Sequence, residues 1–340
     1  MTTNIDALDD LPRASLSHYP TPIEEMPNLG KQIGVAGLYI KRDDCTGLAM
    51  GGNKARQLEF YFGEAVAKGA DTVLITGAVQ SNYTRMSAAA AAKFGMECHI
   101  QAENLVATTS ESYRNSGNVL ISRILGAKTH AFCDGENEEA ADRGLEKLAD
   151  QLKRKGRRPY IIHLGLTHRP LGALGYVVAA GEIIRQTKES GIAFDEIVVA
   201  SGSGSTHAGL LFGLRAFNSS IAVTGICVRR PADLQKPRIF SRCRQIADLL
   251  KMDNPVSETD VIVNDDAFAP GYGRINDLVR EAIRLTARRE GILLDPAYTG
   301  KAMAGFLDRA RQSPPGRRLL FLHTGGHPGV FAYETELGKL

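Results

Sequence analysis

Short apolar runs recur along the chain, each followed by a polar or glycine-rich turn and then by a stretch with helical spacing. "GLYIKRDD" (37–44), "DTVLITG" (71–77), "ECHIQAE" (97–103), "KTHAFC" (128–133) and "PYIIHLG" (159–165) read as strands. Between them "QLEFYFGEAVAKGA" (57–70), "RMSAAAAAKFGM" (85–96), "SYRNSGNVLISRILGA" (112–127) and "EEAADRGLEKLADQLKRKG" (138–156) read as helices. A second set follows, with strands at "EIVVAS" (196–201), "AVTGICVRR" (222–230), "DVIVND" (260–265) and "LLFL" (319–322). The helices of this set are "LGALGYVVAAGEIIRQTKESG" (171–191), "THAGLLFGLRAF" (206–217) and "INDLVREAIRLTARREG" (275–291). Strands alternating with helices predict parallel sheets covered on both faces. Two groups of strands predict an α/β protein of two doubly wound domains, with ligands bound beyond the carboxyl ends of the strands.

Six turns in that position carry polar chemistry. "SGSGSTHAGL" (201–210) runs from a strand into a helix, so its free amides and the helix dipole suit a phosphate, or it is a tight turn with nothing bound. It is not a dinucleotide fingerprint: His207 stands at the third glycine position, and Arg229 and Arg230 end the next strand where an acid would grip a ribose. "MGGNKARQLEF" (50–60) is not a nucleotide P-loop, because Asn53 follows Gly52 where the lysine belongs and Ala55 replaces the magnesium-binding hydroxyl. Lys54 is then a Schiff-base nucleophile or a solvated lysine at a helix start. "TGAVQSNYT" (76–84) offers Ser81 and Asn82 over a helix N-terminus, as a carboxylate site or an N-cap. "FAPGYGRIND" (268–277) and "LLDPAYTGKAMAG" (293–305) place Tyr272 and Tyr298 among Gly and Pro, as proton donors or packing anchors. "LLFLHTGGHPG" (319–329) ends a strand in Thr324.

Taken together these stretches resemble the pyridoxal-phosphate (PLP) dependent enzymes of the tryptophan-synthase β-chain fold, fold type II. The nearest branch is that of D-cysteine desulfhydrase, L-cysteate sulfo-lyase and 1-aminocyclopropane-1-carboxylate (ACC) deaminase. The motifs recur in order from residue 40 to 326. The resemblance implies an active site in an interdomain cleft. A smaller domain over 52–165 would carry Lys54 and the Ser81–Asn82 loop. A larger PLP-binding domain would comprise 1–51 plus 166–340. It implies that Lys54 holds PLP and that Gly202, Ser203, Gly204, Ser205 and Thr206 cup its phosphate. Asn82 would lie beside the ring oxygen, Thr324 would face the pyridine nitrogen, and Ser81, Tyr272 and Tyr298 would act with Lys54 in catalysis. The activity implied is α,β-elimination from a small amino acid with a sulfur leaving group, as in D-cysteine desulfhydrase, with sulfo-lyase or ACC deaminase as alternatives. A Rossmann-type oxidoreductase is the reading from another class. ACC deaminase carries glutamate where Thr299 stands, which argues against it. Tyr83, in place of histidine, and the bulky His168–Arg169 pair in "GLTHRPLGALGY" (165–176) depart from the branch where a substrate side chain is read. Ser81, Asn82, Tyr83 and Arg169 are accordingly the expected substrate-binding residues, with Arg169 for an anionic substituent.

Composition narrows the partners. Forty-one basic residues nearly balance 38 acidic ones, which gives no electrostatic case for nucleic acid or a membrane surface. "KRKGRRP" (153–159) reads as a solvated loop. The five cysteines lack paired spacing, so neither a disulfide framework nor a metal site is expected, and Cys98, Cys133 and Cys227 read as core residues. No apolar stretch is long enough to span a bilayer, and the N-terminus lacks a signal-peptide core, so a cytoplasmic enzyme, homodimeric like its relatives, is expected.

Overall fold

The computed structural model describes residues 5–338 except 107, 109, 134 and 136. Two sheets organise the chain. The smaller contains β3 (Thr72–Ala78), β4 (Glu97–Glu103), β5 (Lys128–Phe132) and β6 (Pro159–Ile162), all parallel, in the order β5-β4-β3-β6. The larger takes β1 (Ile23–Glu25) and β2 (Leu38–Lys41) from before that segment. From after it come β7 (Glu196–Ser201), β8 (Ala222–Cys227), β9 (Ile262–Asn264) and β10 (Leu319–Leu322). Its order is β1-β2-β10-β7-β8-β9, parallel except for β1, which pairs antiparallel with β2. The three-residue β1 escapes sequence reading because it is too short to show a period.

The strands follow from their side chains. Every residue of β7, "EIVVAS", is buried, as expected of a central strand covered on both faces. The helices that cover the sheets are α1 (Pro27–Ile33), α2 (Lys54–Ala67), α3 (Asn82–Lys93), α4 (Glu111–Asn115), α5 (Gly117–Ile124) and α6 (Glu138–Arg154) in the first half. Next come α7 (Leu174–Ser190), α8 (Ser205–Ala216), α9 (Ala232–Leu250), α10 (Asp277–Glu290), α11 (Thr299–Gln312) and α12 (Pro328–Ala332). Helix α6 buries Ala141, Leu145, Ala149 and Leu152, a stripe at helical spacing, and Asn137 caps it by accepting from the Ala140 amide. The segment 112–127, expected as one helix, is broken into α4 and α5. Gly117 has φ +58°, and a Cβ there would lie 2.5 Å from the Pro328 carbonyl oxygen, so the chain turns where only glycine fits. Cys98 and Cys227 are buried, whereas Cys133 is exposed just past the edge strand β5, contrary to its expected place in the core. No helix among the described residues is long and apolar enough to cross a membrane.

In each sheet the order of strands reverses at one point. Successive strands step from β3 to β4 to β5 on one side, while β6 returns to the other; likewise β8 and β9 lie on one side of β7 and β10 on the other. Such switch points leave a crevice beyond the strand ends, where α/β proteins bind ligands. Ser81 follows β3, Gly202 follows β7 and Thr324 follows β10, so the motif turns converge there.

A buried charge network fixes α2 against the larger sheet. The Arg56 guanidinium donates to both oxygens of Asp43 at 2.8 Å and to both oxygens of Glu182 at 2.9 and 3.0 Å. Lys41 donates to Glu182 at 2.5 Å and to the Thr21 carbonyl at 2.7 Å, and the Tyr176 hydroxyl donates to Asp43 at 2.6 Å. Burial alone would raise the Asp43 carboxyl, yet Arg56 and Lys41 hold it below the usual range. Two cations and two anions cancel, and each is hydrogen-bonded, which makes their burial tolerable. Removing one carboxylate leaves a buried cation short of its partner. Glu182→Gln is therefore expected to lower unfolding free energy by about 3–5 kcal/mol, read as a fall in the urea midpoint; a shift within error would show that the network carries no stability.

Candidate active site

The glycines ahead of Lys54 have specific neighbours. A Cβ on Gly51 would lie 1.8 Å from the Asp44 carbonyl oxygen, and one on Gly52, at φ +127°, 3.1 Å from that of Thr324. The Asn53 amide donates to the Thr324 carbonyl at 3.1 Å. The pair thus lets the start of α2 lie against the turn after β10, bringing Lys54 and Thr324 to one cavity. Lys54, Ser81, Asn82, Tyr83, Gly202, Ser203, Gly204, Thr206, Tyr272, Tyr298 and Thr324 all line it. Among the expected site residues, Ser205 and Arg169 do not.

No hydrogen bond engages the Lys54 amine among the described residues. Burial alone moves its pKa from 10.5 down to about 8. The Tyr83 ring lies 5.0 Å from Nζ, so Tyr83 packs beside the lysine as well as lining the cavity. A desolvated amine is more readily deprotonated and therefore more nucleophilic near neutrality.

The turn after β7 forms an anion cup. The first-turn amides of α8 have no intrahelical acceptor, and no protein acceptor among the described residues takes those of Ser203, Gly204, Ser205 or Thr206. The Thr206 hydroxyl oxygen accepts from Asn53 Nδ2 and Gln57 Nε2, each at 2.8 Å, which leaves its own proton to be donated into the cavity. Gly204 is required by its φ of +101°, and a Cβ there would face Ile239 of α9 at 3.2 Å. Its glycine is thus set by the backbone and by α9. His207 is fully buried, its ring pushed down to about 4 by burial, and it packs where a Gly225 Cβ would stand. It is therefore a neutral, buried group at the wall of the cavity.

Ser81 caps α3, its Oγ accepting from the Tyr83 and Thr84 amides at 3.1 and 3.3 Å. Both readings of this turn hold in one geometry, because the capping serine also faces the cavity at a positive helix end. Asn82 Oδ1 accepts from Asn118 Nδ2 at 2.9 Å, so its amide NH2 is the end left for a ligand. Asn118 is itself held by Gln80, whose Oε1 accepts its backbone N–H at 3.0 Å.

Tyr272 and Tyr298 share a hydrogen bond of 2.5 Å between their hydroxyls, with ring centroids 5.8 Å apart. Burial raises both phenols; at Tyr272 the Tyr298 hydroxyl and the Arg229 charge oppose it. Each tyrosine is positioned from behind. Asp295 accepts from the amides of Ala297, Tyr298 and Thr299 and from the Thr299 hydroxyl. Thr299 is fully buried within that loop and does not line the cavity. Lys301 donates to the carbonyls of Phe268 and Gly271, which pins the loop that carries Tyr272.

Arg169 lies elsewhere. Its side chain is 58% exposed and paired with Glu64, so it is a surface ion pair where an anion-reading residue was expected. His168 hydrogen-bonds Asp142 at 3.1 Å beside His163. Sequence reasoning missed Asn53, which lines the cavity, and Gln57, Asn118, Asp295 and Lys301, which act on the site through other residues. The one available signal was that Asn53 and Gln57 stand four apart at the start of a helix and so share a face.

The Lys54 geometry generates a test in cofactor-stripped protein. The unfolded chain keeps the lysine proton up to about 10.5, whereas the folded chain releases it near about 8. Below the lower value the fold bears the full cost of a buried charge, and that cost fades as pH rises between the two. Lys54→Met is expected to raise stability at pH 7 by about 3 kcal/mol, with the gain shrinking as the pH is raised from 8 toward 10.5. A pH-independent offset in chemical denaturation would show that the amine is solvated.

The chain was compared with known proteins. The family model described as pyridoxal-phosphate dependent enzyme matches residues 14–325. D-cysteine desulfhydrase of Salmonella typhi is 43% identical over 332 residues, covering 97% of this chain and 98% of that protein. The Klebsiella pneumoniae protein of the same name is 42% identical over 339 residues, covering 98% and 100%. A crystal structure of an ACC deaminase homologue superposes with a TM-score of 0.88 at 38% identity, covering 100% of this chain and 99% of the other. O-Ureido-L-serine synthase, at 18% identity and a TM-score of 0.66, shares the fold. With a desolvated lysine, free turn amides and several hydroxyls around one cavity, and with a family match over almost its whole length, this chain belongs to the family of pyridoxal-phosphate dependent enzymes.

Proposed function

We propose that the enzyme catalyses α,β-elimination from a small amino acid bearing sulfur on Cβ, with D-cysteine giving pyruvate, ammonia and sulfide. The observation that carries this reading is the desolvated Lys54 in the same cavity as the Thr206 cup and the Tyr272–Tyr298 pair. Relatives over almost the full length named D-cysteine desulfhydrase support the choice of substrate. When bound, PLP supplies an aldehyde for the amino group and a conjugated ring that takes up the electron pair left as the α-proton departs. Thr206 and the free amides of the β7–α8 turn hold the phosphate. The N-terminus of α3, with Ser81 and Asn82, orients the substrate carboxylate. Lys54 Nζ would hold the aldehyde and, when free of it, would stand as the base for the α-proton. The hydrogen-bonded tyrosines move a proton to the departing sulfur. Thr324, at the end of β10, would offer a bound ring nitrogen a neutral hydroxyl, which suits loss of a good leaving group from Cβ. Overall, D-cysteine and one water give pyruvate, ammonia and hydrogen sulfide.

Borohydride reduction followed by peptide mapping is expected to place the pyridoxyl group on Lys54, and purified enzyme is expected to release sulfide, ammonia and pyruvate in equal amounts from D-cysteine. A label on Lys301 would overturn the lysine assignment, and ammonia without pyruvate would overturn the elimination.

A cytoplasmic homodimer is the assembly we propose. Its support is the apolar surface of α5 and the neighbouring α12, where Leu120 (47%), Ile124 (74%) and Phe331 (60%) are exposed. Sedimentation is expected to give twice the monomer mass, and Ile124→Glu with Phe331→Glu to give monomers; an unchanged mass in the double variant would place the interface elsewhere.

A further inference from the structure

His163 follows β6, and His168 lies further along the loop that leads to α7. Each turns one ring nitrogen to Asp142 of α6. His163 Nδ1 lies 3.0 Å from one carboxylate oxygen and His168 Nε2 lies 3.1 Å from the other. The two rings stack, with centroids 3.8 Å and planes 8° apart. The loop is gripped from behind. Arg242 of α9 donates to the carbonyls of Leu164, Gly165 and His168 at 2.8–2.9 Å, and Gln245 donates to that of Leu166 at 2.6 Å. The loop closes on the carboxylate only because Gly165 lacks a side chain, since a Cβ there would lie 2.7 Å from Asp142 Oδ2. Asp142 and Gly165 line an outer cavity that adjoins the Lys54 cavity, the two sharing Leu105, Arg229 and Tyr272. Asp142 is buried, and its ion-pair partners among the described residues are these two imidazoles alone. The arginines of the outer cavity serve other groups: Arg230 and Arg238 pair with Glu138, and Arg229 lies near Tyr272, Glu138 and Glu103.

We propose that Asp142, His163 and His168 bind a divalent transition metal of the zinc class, which clips α6 to the loop between β6 and α7. The ligand atoms of the three residues all lie within 4.8 Å of one another. Around a tetrahedral Zn²⁺ with bonds of about 2.0–2.1 Å, ligand atoms stand about 3.3 Å apart, so the cluster needs to open only slightly. Neither imidazole has a hydrogen-bond partner among the described residues for its second nitrogen, so each ring proton can sit there and leave a lone pair toward the metal. A water from the outer cavity supplies the fourth ligand. Two imidazoles and one carboxylate suit zinc, nickel or copper, whereas Mg²⁺ and Ca²⁺ seek sets of oxygens. A second group of similar composition, Asp44, His323 and His327, is already spent. Asp44 is held by the Arg42 guanidinium, and the two His323 nitrogens meet the Gly325 amide and the Leu293 carbonyl. Leu164, between the two histidine ligands, lines the Lys54 cavity, so the clip fixes part of that cavity's wall. No cysteine takes part, and the cysteine spacing therefore has no bearing on this site.

Holoenzyme stripped of metal by a chelating resin is titrated with Zn²⁺ by calorimetry, beside His163→Gln and His168→Gln, whose folding is checked by urea midpoints without metal. Wild type is expected to bind zinc tightly at this site, and its thermal midpoint is expected to rise with zinc concentration. Loss of an outer partner of a metal ligand already costs about 10–100-fold in affinity, so each variant, which lacks a ligand, is expected to lose the tight site by at least about a hundredfold. A merely structural histidine would lower the midpoint without metal and leave the zinc-dependent rise in place, which would overturn the proposal. Zinc binding undiminished in both variants also overturns it and assigns the metal elsewhere, as to the exposed thiols of Cys45 and Cys133. Mg²⁺ that displaces zinc at equal concentration overturns imidazole ligation. X-ray absorption at the zinc edge of the wild-type protein needs no variant: imidazole scattering with no sulfur shell is expected, and a sulfur shell or an absence of imidazole overturns the assignment. None of these readouts depends on turnover, so they stand apart from the elimination reading.

Discussion

The salt-bridged core of Lys41, Asp43, Arg56 and Glu182 is the constraint on which the site rests. Arg56 stands two residues after Lys54 on the same helix, and its guanidinium is clamped between the turn after β2 and the body of α7. The Lys54 amine therefore has a fixed origin. Its helix cannot slide or rotate without breaking bidentate pairs in a region that water does not reach. Such a cluster is an expensive way to gain stability, because each charge is stripped of solvent, but it is a strict way to gain registry.

A second theme is that groups facing the cavity are oriented from the rear. Thr206 has its acceptor capacity taken by two side-chain amides and so presents a proton. Asn82 has its carbonyl end taken by Asn118 and so presents donors. Tyr298 hangs on the amide shell of Asp295, and Tyr272 on carbonyls tied by Lys301. In each case a buried partner decides which hydrogen-bonding end is offered. Such preorganisation lets a site bind charge without first reorganising.

The fold class and the cavity's principal residues were legible because they follow from local rules. Alternating apolar runs gave the parallel strands, and the turns at their ends held Lys54, Ser81, Thr206 and Thr324. What escaped depends on distance in the chain. Asn118 meets Asn82 across 36 residues, and Lys301 meets the Tyr272 loop across about 30. No spacing announces such a meeting. Arg169 was misjudged for the same reason: a charge near a motif in sequence found a carboxylate 105 residues away.

The strand edges have a consequence for how copies of the chain can meet. The larger sheet ends in two three-residue strands, β1 and β9, and the smaller in β6, of four residues, and β5, which begins Lys-Thr-His with its lysine and threonine exposed. Short borders and charged borders both make poor templates for another chain's backbone. Growth by continuous sheet extension, the usual route from a parallel α/β architecture to fibrils, is thereby closed off at all four ends. Association is left to side chains projecting from helices, where contact can be specific and self-limiting.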